Sequence, residues 1–232
     1  MAVVAPVGRD AEARVRAVLG GRPGIDLAGL TVVDAPTYRW FADAHAGRNV
    51  DLGSQDSIYD RWSPVPPAGY GGWAFVGSMR PDRQLEAAER LAGCSLLAAD
   101  AMRSYVEAAP DAARSVLRLV GWYFCNEEEL AALGGGDEPE AFRRRWELAG
   151  LVLKHGPGGV TAFTDAGRLH VPANAERVVD TTGAGDALAG GMLACWLVRG
   201  GGAEHLDEAL RAGVDCASLA ISEIGARALS RS

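Results

Sequence analysis

Asp180-Thr181-Thr182-Gly183-Ala184-Gly185-Asp186 follows a short apolar run, Arg177-Val178-Val179, and opens an apolar segment that continues through Trp196. This order predicts a strand over 177–179, a turn on the glycines and a helix beyond them. A helix that starts there leaves its first amides unpaired at the positive end of its dipole, which makes an anion site. Gly183 and Gly185 have no side chain, so a phosphate can come close to the main chain and positive φ costs little. Asp186 stands out in such a cradle, because a carboxylate repels what the amides attract. Two accounts fit it. In the structural one, an acid in the first helical turn favours the dipole or caps orphan amides. In the chemical one, a carboxylate beside a phosphate cradle accepts the proton of a hydroxyl as that oxygen attacks phosphorus, and the amides stabilise the charge on the transferred group.

Upstream of this stretch, apolar strands alternate with helices. Strands are expected at 73–76, 95–99 and 121–125, and helices at 83–91, 102–109, 112–119 and 127–133. That alternation predicts an α/β fold with a parallel sheet covered on both faces. Ligands in such folds lie beyond the carboxyl ends of the strands, where Asp100, Asn126 and Asp180 are each placed. Residues 151–154 and 160–163 read as a hairpin, with a further strand at 168–171. The chain opens on a short strand and an amphipathic helix ending near Leu19. It continues with a strand at 30–34, a hairpin of 37–41 with 48–52 joined through Gly47, and a Pro- and Gly-rich loop at 63–72. The apolar run at 187–198, interrupted by Gly190-Gly191, reads as a core helix. Residues 206–221 form an Ala-rich helix closed by Gly225.

Asn126 and Glu129 are three apart at a helix start, which puts them on one face. Reciprocal capping is a complete structural account of the pair. An amide and a carboxylate there could equally hold waters around Mg²⁺, which keeps much of its hydration shell. Asp100 reads either as an N-cap or as a group near metal or phosphate.

Composition sets the outer bounds. The chain has 232 residues, 48% of them hydrophobic and 23% charged, enough for one substantial core. A net charge of −7 argues against a nucleic-acid surface. The one basic run, Arg143-Arg144-Arg145, reads as a solvated helix face. Cys94, Cys125, Cys195 and Cys216 lack C-x-x-C spacing and read as buried free thiols of a cytoplasmic protein. No apolar run reaches the roughly 20 residues that span a bilayer, so no membrane partner is expected. No G-x-G-x-x-G follows the first strand, which argues against a dinucleotide oxidoreductase.

The string D-T-T-G-A-G-D resembles the C-terminal signature of the PfkB (ribokinase-like) family of carbohydrate and nucleoside kinases. Asn126-Glu127-Glu128-Glu129 resembles that family's N-x-x-E motif, and Lys154-His155-Gly156-Pro157-Gly158-Gly159 its K-x-G-x-x-G nucleotide loop, in the family's order. The likeness runs from about residue 7 to 225 and is strongest after Asp100. It implies a ribokinase-like three-layer fold, a mostly parallel sheet flanked by helices, in a single kinase domain over 1–232. A partial β lid is expected at about 30–60.

The resemblance also implies a function, the ATP-dependent phosphorylation of a hydroxyl group of a sugar or nucleoside. Asp186 would be the base and a substrate contact, with Gly183, Ala184 and Gly185 supplying amides to the transferring group. Asn126, Lys154, Gly156, Gly159 and Gly185 would contact the nucleotide, and Glu129 with Asn126 would hold Mg²⁺ through water. Tyr38, Trp40 and Phe41 on the lid either face the sugar or pack beneath the lid. Some branches of the family bind K⁺ with carbonyls around Asp180, Thr182 and 220–225. An exposed lid edge invites a homodimer. One departure is plain. In the family an opening strand, a Gly-Asp substrate contact and a Gly-Gly segment come before the stretch matched by Gly8-Arg9-Asp10, and none precedes Met1 here. A truncated gene model and a catalytically impaired nucleotide-binding homologue both fit that departure.

Overall fold

The computed structural model describes residues 1–45, 48–136, 138–225 and 227–231. Its centre is a six-stranded sheet in the order β10-β9-β8-β7-β6-β5. The strands are β5 (Trp73–Val76), β6 (Leu96–Asp100), β7 (Trp122–Asn126), β8 (Gly150–Lys154), β9 (Val160–Thr164) and β10 (Gly167–Val171). β5 to β8 run parallel, β9 runs antiparallel to β8, and β10 runs antiparallel to β9. Successive side chains leave a strand on opposite faces, which divides the core in two. Leu97, Ala99, Tyr123, Cys125, Leu151 and Leu153 point to one face. There they bury α2 (Pro81–Arg90), α3 (Arg103–Ala108), α4 (Pro110–Leu117), α5 (Glu127–Ala132) and α6 (Pro139–Arg145). Ala98, Trp122, Phe124, Val152 and Ala162 point to the other face, under α7 (Ala184–Val198) and α8 (Leu206–Ala220). The indole of Trp196 on α7 stacks edge-on against Trp122 at 4.7 Å between ring centroids. Helix, sheet and helix make the three layers.

The amino-terminal third forms two smaller sheets. β1 (Ala2–Gly8) pairs in parallel with β2 (Asp26–Val33), with α1 (Glu12–Leu19) between them in sequence. β3 (Arg39–His45) and β4 (Arg48–Gln55) form the antiparallel hairpin of the expected lid; its turn at Gly47 lies outside the described residues. Phe41 and Leu52 on the hairpin are 52% and 67% exposed. A short turn at Ser57–Arg61 carries Ile58 and Tyr59, which join Val33 and Trp62 in a third apolar cluster.

Two expectations are corrected. Residues 177–179 form no strand: Val178 and Val179 are exposed, and the Val179 and Asp180 amides donate to the Ile221 carbonyl at 2.8 and 3.3 Å instead of joining the sheet. With no apolar layer to cover them, the two valines gain nothing from sheet geometry. Arg143 is not on a solvated face. It is buried and donates to Glu140, Asp165 and the Leu148 carbonyl, whereas Arg144 and Arg145 are exposed. Cys125 is buried, and the other three thiols are partly so, all of them free. Among the described residues no helix is long and apolar enough to cross a membrane.

α7 and α8 pack against each other through glycines. A methyl group placed on Gly213 would stand 2.7 Å from the Leu188 carbonyl oxygen and 3.0 Å from the Met192 Cβ. Gly213→Ala is therefore expected to destabilise the protein by about 1–3 kcal/mol, seen as a lower urea midpoint, because the two helices must part.

Candidate active site

Three side chains meet at the carboxyl ends of adjacent strands. Asp100, Asn126 and Lys154 are the last residues of β6, β7 and β8, and Asn126 stands opposite Lys154 in the ladder. The Lys154 ammonium donates to Asp100 Oδ1 at 2.7 Å and lies 3.7 Å from Glu129 Oε2. Asp100 is buried, and its Oδ1 also accepts from the Ala101 amide at 2.8 Å. The buried Gln84 side chain holds the Asp100 carbonyl at 2.7 Å, so the strand end is tied down from two sides. Asp100 does not cap α3. The residue at that position is Met102, and it makes no side-chain cap.

Glu129 is placed by the capping box foreseen from sequence. Asn126 Oδ1 accepts from the Glu129 amide at 2.8 Å, and Glu129 Oε2 accepts from the Asn126 amide at 2.7 Å. Both bonds satisfy orphan donors at the start of α5, and together they turn the Glu129 carboxylate towards Lys154.

The signature stretch closes the site from the α7 side. Gly183 is the N-cap of α7 at φ 80°, a conformation that glycine adopts without a Cβ clash. Ahead of it, Asp180 folds the stretch by accepting from the Thr182 amide at 2.9 Å and the Gly225 amide at 3.1 Å. Asp180 therefore acts on its own loop and on 225, not at a strand end. The Ala184 amide donates to Thr181 and that of Ala187 to Gly183. Among the described residues the amides of Gly183, Gly185 and Asp186 donate to nothing within the chain. Gly185 rests directly on the ion pair: a Cβ there would lie 3.2 Å from Lys154 Nζ and 3.3 Å from Asp100 Oδ2.

The cluster holds more negative than positive charge, with Asp100, Glu129 and Asp186 around one ammonium. Burial raises the Glu129 pKa above the usual carboxylate value, with Asp100 adding to the shift and Lys154 opposing it. The wall of protein around Asp186 raises its pKa first, Asp100 adds to this, and Lys154 again pulls it back. Asp186 itself opens to solvent, which screens this shift. Burial works against the charged form of Lys154, but Asp100 and then Glu129 outweigh it, so its pKa is raised.

Beyond Lys154 the chain turns through Gly156 at φ 57° and Gly159 at φ 93°. The His155 amide donates to the Gly159 carbonyl at 2.8 Å, which closes the loop. A Cβ on Gly159 would lie 2.2 Å from the Val171 carbonyl oxygen, so both the turn and the space admit only glycine. Of the lid aromatics, Tyr38 packs on Tyr59 at 6.0 Å and points its hydroxyl at the Met102 sulfur, 3.8 Å away. The Trp40 indole donates to Asp51 across the hairpin at 2.9 Å. Beside them a cleft of about 480 Å³ is lined by Arg9, Asp10, Asp34, Arg39 and Gln55, and it includes none of the charged cluster.

The structure thus brings together Asp186, Gly185, Lys154, Asn126 and Glu129, whereas Tyr38 and Trp40 stand apart from them on the lid. Sequence reasoning missed the bridging of Asp100 and Glu129 by Lys154. The available signal was the strand period, which puts residues 98, 100, 124, 126, 152 and 154 on the sheet face that α7 covers.

The family model described as "pfkB family carbohydrate kinase" matches residues 74–232, more than half of the chain. An ATP-dependent ribose-1-phosphate kinase of Halopiger xanaduensis is 36% identical over 104 residues, covering 45% of this chain and 33% of that protein. A cytidine kinase of Thermococcus kodakarensis is 26% identical over 212 residues, covering 87% of this chain and 74% of that protein. Among solved structures, a nucleoside kinase of Methanocaldococcus jannaschii superposes with a TM-score of 0.74 at 19% identity, over 97% of this chain and 75% of its own. The aminoimidazole riboside kinase of Salmonella enterica, complexed with its riboside and an ATP analogue, gives 0.73 at 24% identity, over 97% and 80%. These likenesses show a ribokinase-like fold, and the chain belongs to the pfkB family of carbohydrate kinases.

Proposed function

We propose that the protein transfers the γ-phosphoryl group of ATP to a hydroxyl group of a sugar or nucleoside. The observation that carries this reading is the position of Asp186: a solvent-reaching carboxylate of raised pKa on the first turn of a 15-residue helix, among free amides and beside the Lys154–Asp100 pair. In that place it accepts the acceptor hydroxyl's proton as the oxygen attacks phosphorus. The Gly183, Gly185 and Asp186 amides then receive the charge of the transferring group without having to reorganise. Lys154, a fixed ammonium at the head of the glycine loop, meets the nucleotide phosphates, and Gly156 and Gly159 let the main chain approach them.

The residues fit Mg²⁺ held through water. No three His, Cys, Asp or Glu side chains among the described residues converge on a metal, yet Asn126 and Glu129 present hard oxygen donors beside an excess of carboxylate charge. When bound, Mg²⁺ supplies charge neutralisation at the phosphates. The bonds of Val179 and Asp180 to Ile221, and of Asp180 to Gly225, gather the two carbonyl-bearing stretches that a K⁺ ion would need. The kinases named above act on ribose 1-phosphate, cytidine and aminoimidazole riboside, and fructokinases also resemble the chain, which supports a sugar or nucleoside as the acceptor.

Binding tests the donor half of this reading. Titrating ATP with Mg²⁺ into ¹⁵N-labelled protein is expected to shift the amides of Gly156, Gly159, Gly183, Gly185 and Asp186. Shifts confined to other regions would remove the nucleotide from this site.

A further inference from the structure

His155 stands between the lysine and the glycines of its loop, and its place in the sequence alone gives it no role. In the structure its ring is held on both sides. Nδ1 lies 2.8 Å from Glu127 Oε1 on α5, and Nε2 lies 2.9 Å from the Thr161 hydroxyl on β9. The same hydroxyl lies 3.0 Å from Nδ1 of His170 on β10. Four side chains, from two strands, the loop after β8 and a helix, thus form one unbranched hydrogen-bonded chain. The two imidazoles lie tilted with ring centroids 6.1 Å apart, and the hydroxyl is the hydrogen-bonded link between them.

The chemistry of the four groups fixes the direction of the chain. A carboxylate only accepts, so the proton shared with Glu127 belongs to His155 Nδ1. In a neutral ring Nε2 is then an acceptor, and Thr161 must donate to it. Thr161 has one proton, so its oxygen must accept from His170, whose Nδ1 therefore carries the hydrogen. Every donor points towards Glu127. Thr161 is buried, and a buried hydroxyl is costly to leave unpaired, so this arrangement is held rather than incidental.

We propose that His155 is the positioning residue of the nucleotide loop, clamped by the chain His170–Thr161–His155–Glu127 against the head of the helix that carries Glu129. The loop's own bonds, His155 to Gly159 and Gly158 to His155, close a tight turn but do not attach it to the rest of the molecule. The side chain of His155 does so on two sides, to α5 and to the β9–β10 hairpin. Its effect on catalysis rests on the kinase reading above, because the clamp matters to turnover only if the loop holds ATP.

Long-range ¹H–¹⁵N spectra of the histidine rings test the proposal in the ligand-free protein, in buffer well above the ordinary histidine pKa of about 6.5. Both His155 and His170 are expected as Nδ1–H tautomers, the form less common in free histidine. Thr161→Val keeps the volume and removes the hydroxyl. It should release His170 to the Nε2–H form, speed hydrogen exchange at the Gly158 and Gly159 amides, and raise KM for ATP roughly tenfold with kcat unchanged. Thr161→Ser, which restores the hydroxyl, should return all three readouts to wild type. An Nε2–H tautomer at either histidine of the wild-type protein overturns the proposal. So does a Thr161→Val protein whose loop amides remain as protected as before. If the tautomers and amide exchange respond as expected while no acceptor is phosphorylated, the clamp stands and the kinase reading fails.

Discussion

Asp186→Asn is expected to abolish turnover and leave the fold intact. A positioned general base contributes about 10²–10⁴ in rate, and the amide side chain cannot take a proton, so kcat should fall by that factor. Stability should not fall with it. The Asp186 pKa is raised in the folded protein, which means folding favours the protonated form. Its contribution to stability is therefore greatest at low pH and is lost as pH rises from about 3.9, the unfolded value, through the folded one. At neutral pH the charged carboxylate faces Asp100 at a cost, and the neutral asparagine relieves it. The helix start and its amides are untouched. A variant with a near wild-type rate would remove Asp186 from the base role; one with a clearly lower urea midpoint would show that its part is structural.

Lys154→Met should act the other way, on stability first. It deletes the ammonium bound by Asp100 and Glu129, whose side chains are 5% and 8% exposed. Removing one partner of a buried ion pair costs about 3–5 kcal/mol, because the remaining charges are left unpaired. The penalty depends on pH with a definite sign. Lys154 has a raised pKa, so as far as its own titration goes its stabilisation is full below about 10.4 and is lost as pH climbs through the folded value. Glu129 also has a raised pKa, so on acidification it is protonated early and no longer needs the ammonium. The gap between wild-type and variant urea midpoints should be wide at about pH 8 and narrower at about pH 5. A gap that is the same at both would mean that the cluster carries no net electrostatic stabilisation. Nucleotide binding should be lost in the variant at any pH at which it folds.

What the sequence made legible follows from period and spacing. The strand and helix alternation over 73–133 appears in the structure with boundaries shifted by at most two residues, since apolar layers on both sheet faces leave few alternatives. The capping box of Asn126 and Glu129 was readable because its reciprocal bonds depend on local spacing alone. Arg177-Val178-Val179 misled for the opposite reason: β-branched residues suit a strand, but whether a strand forms depends on a neighbour to pair with, and here the partner is the Ile221 carbonyl. The burial of Arg143 depends on Asp165, 22 residues on, and the Lys154–Asp100 bond spans 54 residues. Contacts of that range leave no local mark. Thr161 and His170, which hold His155, lay in a stretch where only the apolar alternation of β9 and β10 carried a signal.

The proposed reaction moves a phosphoryl group onto an alcohol. The most direct measurement is ³¹P NMR of the purified 232-residue chain with ATP and Mg²⁺, run against a panel of sugars and nucleosides with Asp186→Asn alongside. A phosphomonoester resonance, with loss of the ATP γ signal, is expected for at least one acceptor and none in the variant. Bound ATP that stays intact with every acceptor would contradict the proposed reaction.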